Sequence, residues 1–225
     1  MNSLLGAKEG ADDDRFRRAR VLAGVLFCLC SRPALAVPAF ELVWREADGL
    51  TLETRAVGGT EQPELRVRVQ VDATPLSVAD VVWSQGPGAD ASRYLERRDI
   101  LSSGPGVRLE HHVVVIPLLG HREVILRFTR QDDARGGISI QYNSGGPGDG
   151  LPAGAPRMPL LRGTWRFTRV ESGGMWIEFC SVSDPGGVPA ILTIGPQRQL
   201  AVAQVRDAIR RSKEPRPVEE VVVKR

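Results

Sequence analysis

The sequence predicts an α+β domain in which a curved antiparallel sheet closes on one long C-terminal helix. Three observations predict it. Runs of alternating large and polar side chains recur between residues 50 and 183, and each such run is a strand with one buried and one solvated face. Two of these runs, residues 161–169 and 175–182, flank Ser172-Gly173-Gly174, where glycine supplies the positive φ that a short hairpin turn needs. After them Ala201, Val202, Val205, Ala208 and Ile209 recur at spacings of three and four. Arg206, Arg210, Arg211 and Lys213 fall on other faces, so one helical stripe is built to lie on an apolar surface.

The N-terminus reads as a leader. Arg15, Arg17, Arg18 and Arg20 precede the apolar run 21–30, and Ala34-Leu35-Ala36 gives the small-x-small pattern of a cleavage site. The apolar run is shorter than the roughly 20 residues of a membrane span. The expectation is therefore a signal peptide over residues 1–36, cut near Ala36, with a periplasmic or secreted product. A membrane anchor is the alternative. Removing 36 of 225 residues leaves 189, one ordinary domain with chain enough for a core. It also removes six basic and four acidic residues from totals of 30 and 27, which leaves a net charge near +1. Nothing in that balance predicts a nucleic-acid partner. Of three cysteines Cys180 alone remains, so no disulfide can form within the chain. Three histidines without a Cys/His cluster at ligand spacing leave no case for zinc, and no cofactor is expected.

Residues 40–49 form a helical or extended lead-in closed by Asp48-Gly49, a turn dipeptide. Residues 50–57 and 65–71 alternate with period two and make an antiparallel pair; Arg55, Arg66 and Arg68 fall on its solvated face. Thr74-Pro75 marks a helix start, because the threonine can cap and the proline needs no partner for a missing N–H at the first helical position. A helical or extended piece at 93–98 follows. Strands are then predicted at 107–116, 122–129 and 138–142, ahead of a Gly/Pro-rich excursion over 143–159 that is either functional or a mobile surface loop. Asp184-Pro185-Gly186-Gly187-Val188-Pro189 stops the last strand, since prolines without donors cannot continue a ladder. Residues 214–225, broken by Pro215 and Pro217, read as a disordered tail.

Several local stretches carry a resemblance. They are Ala47-Asp48-Gly49-Leu50, Asp72-Ala73-Thr74-Pro75, Pro117 through Arg122-Glu123, Leu161-Arg162-Gly163-Thr164-Trp165, and the Gly/Pro corner at 184–189 placed before a terminal helix. In these the chain resembles the START (steroidogenic acute regulatory protein-related lipid transfer) superfamily, whose helix-grip fold wraps a curved antiparallel sheet around a long C-terminal α-helix. The resemblance covers about residues 40–212 and assigns a START-like domain to 37–213. It implies a monomer that binds a lipid or other hydrophobic small molecule in an internal cavity, with transient membrane contact. The family often has Arg-Asp where this chain has Arg122-Glu123, and the excursion at 143–159 is distinctive; both bear on ligand class.

A cavity for an apolar ligand needs apolar walls, because each unpaired buried polar group costs about 1–3 kcal/mol. Candidate wall residues are Val113, Val115, Leu126, Phe128, Ile140, Trp165, Phe167, Phe179, Val205 and Ile209, and the same residues would serve a filled core. Arg122 and Arg162 are candidates for a head-group contact or an internal ion pair. His111 and His112 fall on opposite faces of one strand, so they cannot act together on one substrate. Two other functions stay open: an enzyme of the polyketide cyclase or aromatase type using His111 or Glu110 as acid or base, and a solid-core module that contacts an envelope partner. Ser102-Ser103-Gly104 and Ser172-Gly173-Gly174 lack the pattern of a nucleophile elbow, and Gly145-Gly146-Pro147-Gly148-Asp149-Gly150 has no following Lys-Ser/Thr to hold a phosphate.

Overall fold

A computed structural model describes residues 37–85, 93–116, 119–145, 150–151, 154 and 156–214. The predicted leader at 1–36 lies outside them, as does the tail beyond Glu214. The described chain runs β1 (Glu41–Arg45), β2 (Thr51–Arg55), β3 (Glu64–Val71), α1 (Pro75–Gln85), β4 (Leu95–Gly104), β5 (Val107–Ile116), β6 (Gly120–Asp132), β7 (Ile138–Ser144), β8 (Leu160–Arg169), β9 (Met175–Asp184) and α2 (Ala190–Ser212). The nine strands form one open, curved antiparallel sheet in the order β1-β2-β3-β9-β8-β7-β6-β5-β4. This is the helix-grip arrangement. Both helices pack on its concave face, α2 chiefly over β3 and β9 and α1 over β7, β8 and α2.

Alternation dictates what each strand sends inward. In β3 Leu65, Val67 and Val69 are buried, and they face Leu52 of β2 and Phe179 and Ile177 of β9 across the ladders. Phe167 and Trp165 of β8 oppose Ile177 and Phe179, and the Trp165 and Phe179 rings stack with centroids 4.3 Å apart. Ala201, Val202, Val205 and Ala208 of α2 close over this layer, so the predicted helical stripe is buried. On the outer face Arg55 meets Glu64 at 2.5 Å and Arg166 meets Glu178 at 2.7 Å. Arg66 pairs with Glu53 and lies over the Phe40 ring. The basic alternation of β2 and β3 is therefore a paired strand face.

Caps and turns follow local chemistry. Thr74 Oγ1 accepts from the Ser77 N–H at 3.3 Å, which caps α1 one residue before Pro75. Gly173 and Gly174 both hold positive φ in the β8–β9 turn, and a Cβ on Gly174 would strike the Val71 carbonyl. α2 starts at Ala190, eleven residues ahead of its apolar stripe, and carries Pro196 within it. That first part is held by polar contacts: Thr193 donates to Gln62 Oε1 at 2.8 Å and Gln197 to the Ser183 carbonyl at 2.9 Å. Gln62 is buried beneath them.

Candidate functional site

The helices rest on the β3–β9–β8–β7 side of the sheet, and the inner faces of β5 and β6 curve up beside α2 with a gap between. That gap is a cavity of about 280 Å³. β5 contributes Arg108, Glu110, His112, Val114, Val115 and Ile116. β6 and β7 add Leu126, Phe128 and Tyr142, while Trp165 of β8 and Met158 complete the sheet side. Leu192, Pro196, Leu200, Gln204, Ala208 and Arg211 line it from α2. Met158 belongs to the chain that leaves β7 at Ser144 and returns to β8. The Met158 N–H donates to the Glu123 carbonyl at 3.0 Å and the Glu123 N–H to the Pro156 carbonyl at 2.8 Å, so the end of the Gly/Pro excursion is stitched to β6.

The cavity has two unlike ends. β5 spans it from residue 108 to residue 116, about 27 Å at strand rise, and α2 spans it from Thr193 to Arg211, again about 27 Å at helix rise. At the first end lie Arg108, Glu110, His112 and Arg211; at the other lie Val115, Ile116, Pro185, Val188 and Leu192. β4 adds Arg98 to the charged end, because its register sets Arg98 opposite His112.

Glu110 is the centre of that cluster and is fully buried. Arg98 grips it with two bonds of 2.6 and 2.8 Å, His112 Nε2 lies 2.6 Å from its Oε2, and Arg108 pairs with its Oε1. Burial opposes the Glu110 charge, but the bonds from Arg98 and His112 and the positive charges of Arg108 and Arg98 outweigh it and hold the carboxyl down to about 2. Arg108 is itself buried. Its guanidinium sits between the Trp83 and Phe128 rings, at 4.7 and 5.3 Å from their centroids, and donates to the Trp83 carbonyl. Burial lowers its pKa, with Glu110 pulling the other way and Arg98 adding to the fall.

The sequence-derived candidates divide among four places. Val115, Leu126, Phe128 and Trp165 line the cavity. Ile140, Phe167, Phe179 and Val205 are buried where sheet meets helix, with Ile209 packed against them. Val113 and Arg162 are turned outward by the alternation that sends Val114 and Leu161 inward; Arg162 is exposed. Arg122 donates to three carbonyls, those of Leu119 (3.1 Å), His121 (2.9 Å) and Pro185 (3.2 Å), and so ties the β5–β6 turn to the β9–α2 corner. His111 is on the outer face, 2.8 Å from Glu123, whereas Glu110 and His112 face the cavity. Cys180 is buried in β9, with its thiol pushed up to about 12, first by burial. Among the described residues no His, Cys, Asp and Glu group is placed to hold a metal, and no helix is long and apolar enough to cross a membrane.

Reasoning from sequence missed Arg98, Arg108 and the first half of α2. The signal was the i, i+2, i+4 spacing of Arg108, Glu110 and His112, which puts all three on one strand face.

No protein-family model matches this chain, and no curated protein matches it in sequence. Solved structures do. The STAR-related lipid transfer protein of Xanthomonas axonopodis (fragment 25–204) superposes with a TM-score of 0.64 at 18% identity, covering 79% of this chain and 100% of that one. Human STARD10 gives 0.63 at 14% identity over 91% of this chain and 80% of its own. Human StAR-related lipid transfer protein 5 gives 0.61 at 14% over 88% and 98%. At such identities the likeness is one of fold. The chain has the START-like helix-grip fold.

Proposed function

We propose that the protein binds a lipid or other hydrophobic small molecule in the cavity between α2 and the inner face of β5–β8, without converting it. The observation that carries this reading is the cavity itself: about 280 Å³, walled mostly by apolar side chains, and placed between sheet and terminal helix in a fold shared with lipid transfer proteins. The volume is near the lower edge of the roughly 300–1,000 Å³ usual for ligand pockets. The protein acts after export and cleavage near Ala36, as a monomer, and touches a membrane transiently. Ile191 and Leu192, 83% and 58% exposed beside the apolar end of the cavity, support that last point.

The test is native mass spectrometry of the protein purified from its own export compartment. A discrete lipid-sized bound mass is expected. A clean apo mass, with no uptake from an added lipid extract, contradicts the proposal.

One observation favours a second reading, an acid–base enzyme of the cyclase type: Glu110 and His112 face the cavity 2.6 Å apart. Glu110 at about 2 stays ionised near neutrality, and His112 is the imidazole that meets it inside the cavity. Under this reading His112→Gln keeps ligand affinity and stops conversion of the bound molecule; product formed at an unchanged rate rules it out.

A further inference from the structure

The face of α2 that does not line the cavity carries a groove of its own. Trp44 of β1 stands opposite Leu52, whose side chain is buried, so the indole is on the concave side of the sheet and is nevertheless exposed. Between it and α2 runs a groove walled by Gly195, Arg198, Val202, Ala203 and Arg206, none of which lines the cavity. A Cβ added at Gly195 would meet nothing within 4 Å. β1 is the last strand of the sheet, so no further strand closes this side.

The two arginines of the groove are in unlike positions. Arg206 pairs with Glu46 and, at 3.4 Å, with Asp48 in the turn after β1. Arg198, two helical turns earlier, has a buried Nε without a hydrogen-bond partner, and no carboxylate among the described residues pairs with it. A buried donor left unpaired is costly, and a guanidinium offers donors only. The groove therefore combines an exposed indole, a valine and a cation that lacks an anion.

The chain beyond Glu214 has the complementary composition. Pro215 and Pro217 forbid continuation of the helix, since proline lacks the N–H and disfavours helical backbone in the residue before it. Val218-Glu219-Glu220-Val221-Val222-Val223 follows, two carboxylates among four apolar β-branched residues. The reach also agrees. Arg198 lies about 24 Å before Glu214 at helix rise, and extended chain from Glu214 covers about 20 Å by Glu220. The arginine side chain spans the difference.

We propose that residues 218–223 of this chain dock in the groove between Trp44 and α2. A carboxylate of the Glu219-Glu220 pair meets the Arg198 guanidinium, and the valines lie against Trp44 and Val202. A tail tethered to its own groove meets it at an effective concentration of about millimolar order, so one charge-assisted pair and a short apolar contact hold it there. Docked, the tail pins α2 to β1 on the side of the helix away from the cavity lining.

Hydrogen exchange of the full-length chain, read by mass spectrometry over residues 215–225 and compared with the free peptide of that sequence, tests this. The amides of 218–223 are expected to exchange about 10-fold or more slowly in the chain than in the peptide. Arg198→Gln, and separately Glu219→Gln with Glu220→Gln, should each return them to the peptide rate. Exchange at the peptide rate in the natural chain overturns the docking, and protection that survives both sets of substitutions overturns the pairing with Arg198. Should Arg198→Gln fail to fold, the glutamate substitutions decide alone. Protection should be unchanged on about tenfold dilution; protection that falls on dilution places the tail in the groove of a second copy and overturns the assignment to its own.

Discussion

The β8–β9 side of the sheet and the β5–β6 side obey the same alternation and end in opposite conditions. On the first, Phe167, Ile177 and Phe179 point inward into the packed core beneath the two helices. On the second, Arg108, Glu110, His112 and Val114 point inward, the helix stands off, and a cavity opens. Large apolar groups draw two layers together because their contact removes apolar surface from water. The charges of the Glu110 cluster are satisfied by one another and by the Trp83 carbonyl of α1, and they offer α2 no apolar face to close on. What a strand's inward face becomes is decided by what sits above it as much as by its pattern.

The largest expected effects break the packed side. Phe179→Ala empties a fully buried ring position between Trp165 and Val67, and should cost about 3–5 kcal/mol with no rescue by ligand. Chemical denaturation checks it.

On the cavity side the weak point is charge. Glu110→Gln takes the carboxylate away from the buried Arg108 guanidinium and should cost about 3 kcal/mol. The acid limb of the stability curve follows the same residue. Its folded pKa of about 2 lies below its ordinary 4.5, so the stability it adds is complete above about 4.5 and is lost as pH falls towards 2. Melting temperature against pH should show that loss in the natural chain and little of it in Glu110→Gln.

Between the two sides stands Gly163. A Cβ there would overlap the Tyr142 ring and press on the Cys180 carbonyl, so Gly163→Ala should cost about 1–3 kcal/mol. Tyr142→Leu in the same chain should recover part of it, as a thermal-melt double-mutant cycle would show. The smallest effect on stability belongs to the apolar mouth. Val115→Ala, 36% exposed, should leave stability within about 0.5 kcal/mol while reducing ligand affinity, which sharpens the contrast between filling and lining residues.

Most of the strands were legible because one face is buried and the other wet. β4 was not. It is an edge strand whose residues are nearly all exposed, so Arg97, Asp99, Ser102 and Ser103 show no alternation to read. The first half of α2 escaped for a related reason: Pro196 interrupts the helical pattern and polar contacts through Gln62 hold it in place of an apolar stripe. In the cavity the apolar run 113–116 marked a strand without saying which alternate residues face inward. The inward set was signalled by charged residues at 108, 110 and 112, whose burial depends on Arg98 of another strand, a pairing that no local pattern shows.

The most direct test of the central claim, that open space lies beside α2 on the β5–β6 side, is the melting temperature of Val114→Trp measured together with hexadecanoate uptake. Val114 lines the cavity wall. The expected variant is as stable as the natural chain, within about 1 kcal/mol, and no longer takes up ligand, because the indole occupies space that is already there. A solid core would instead be overpacked, at a cost of about 1–3 kcal/mol. A markedly lowered melting temperature, or uptake equal to that of the natural chain, would contradict the claim.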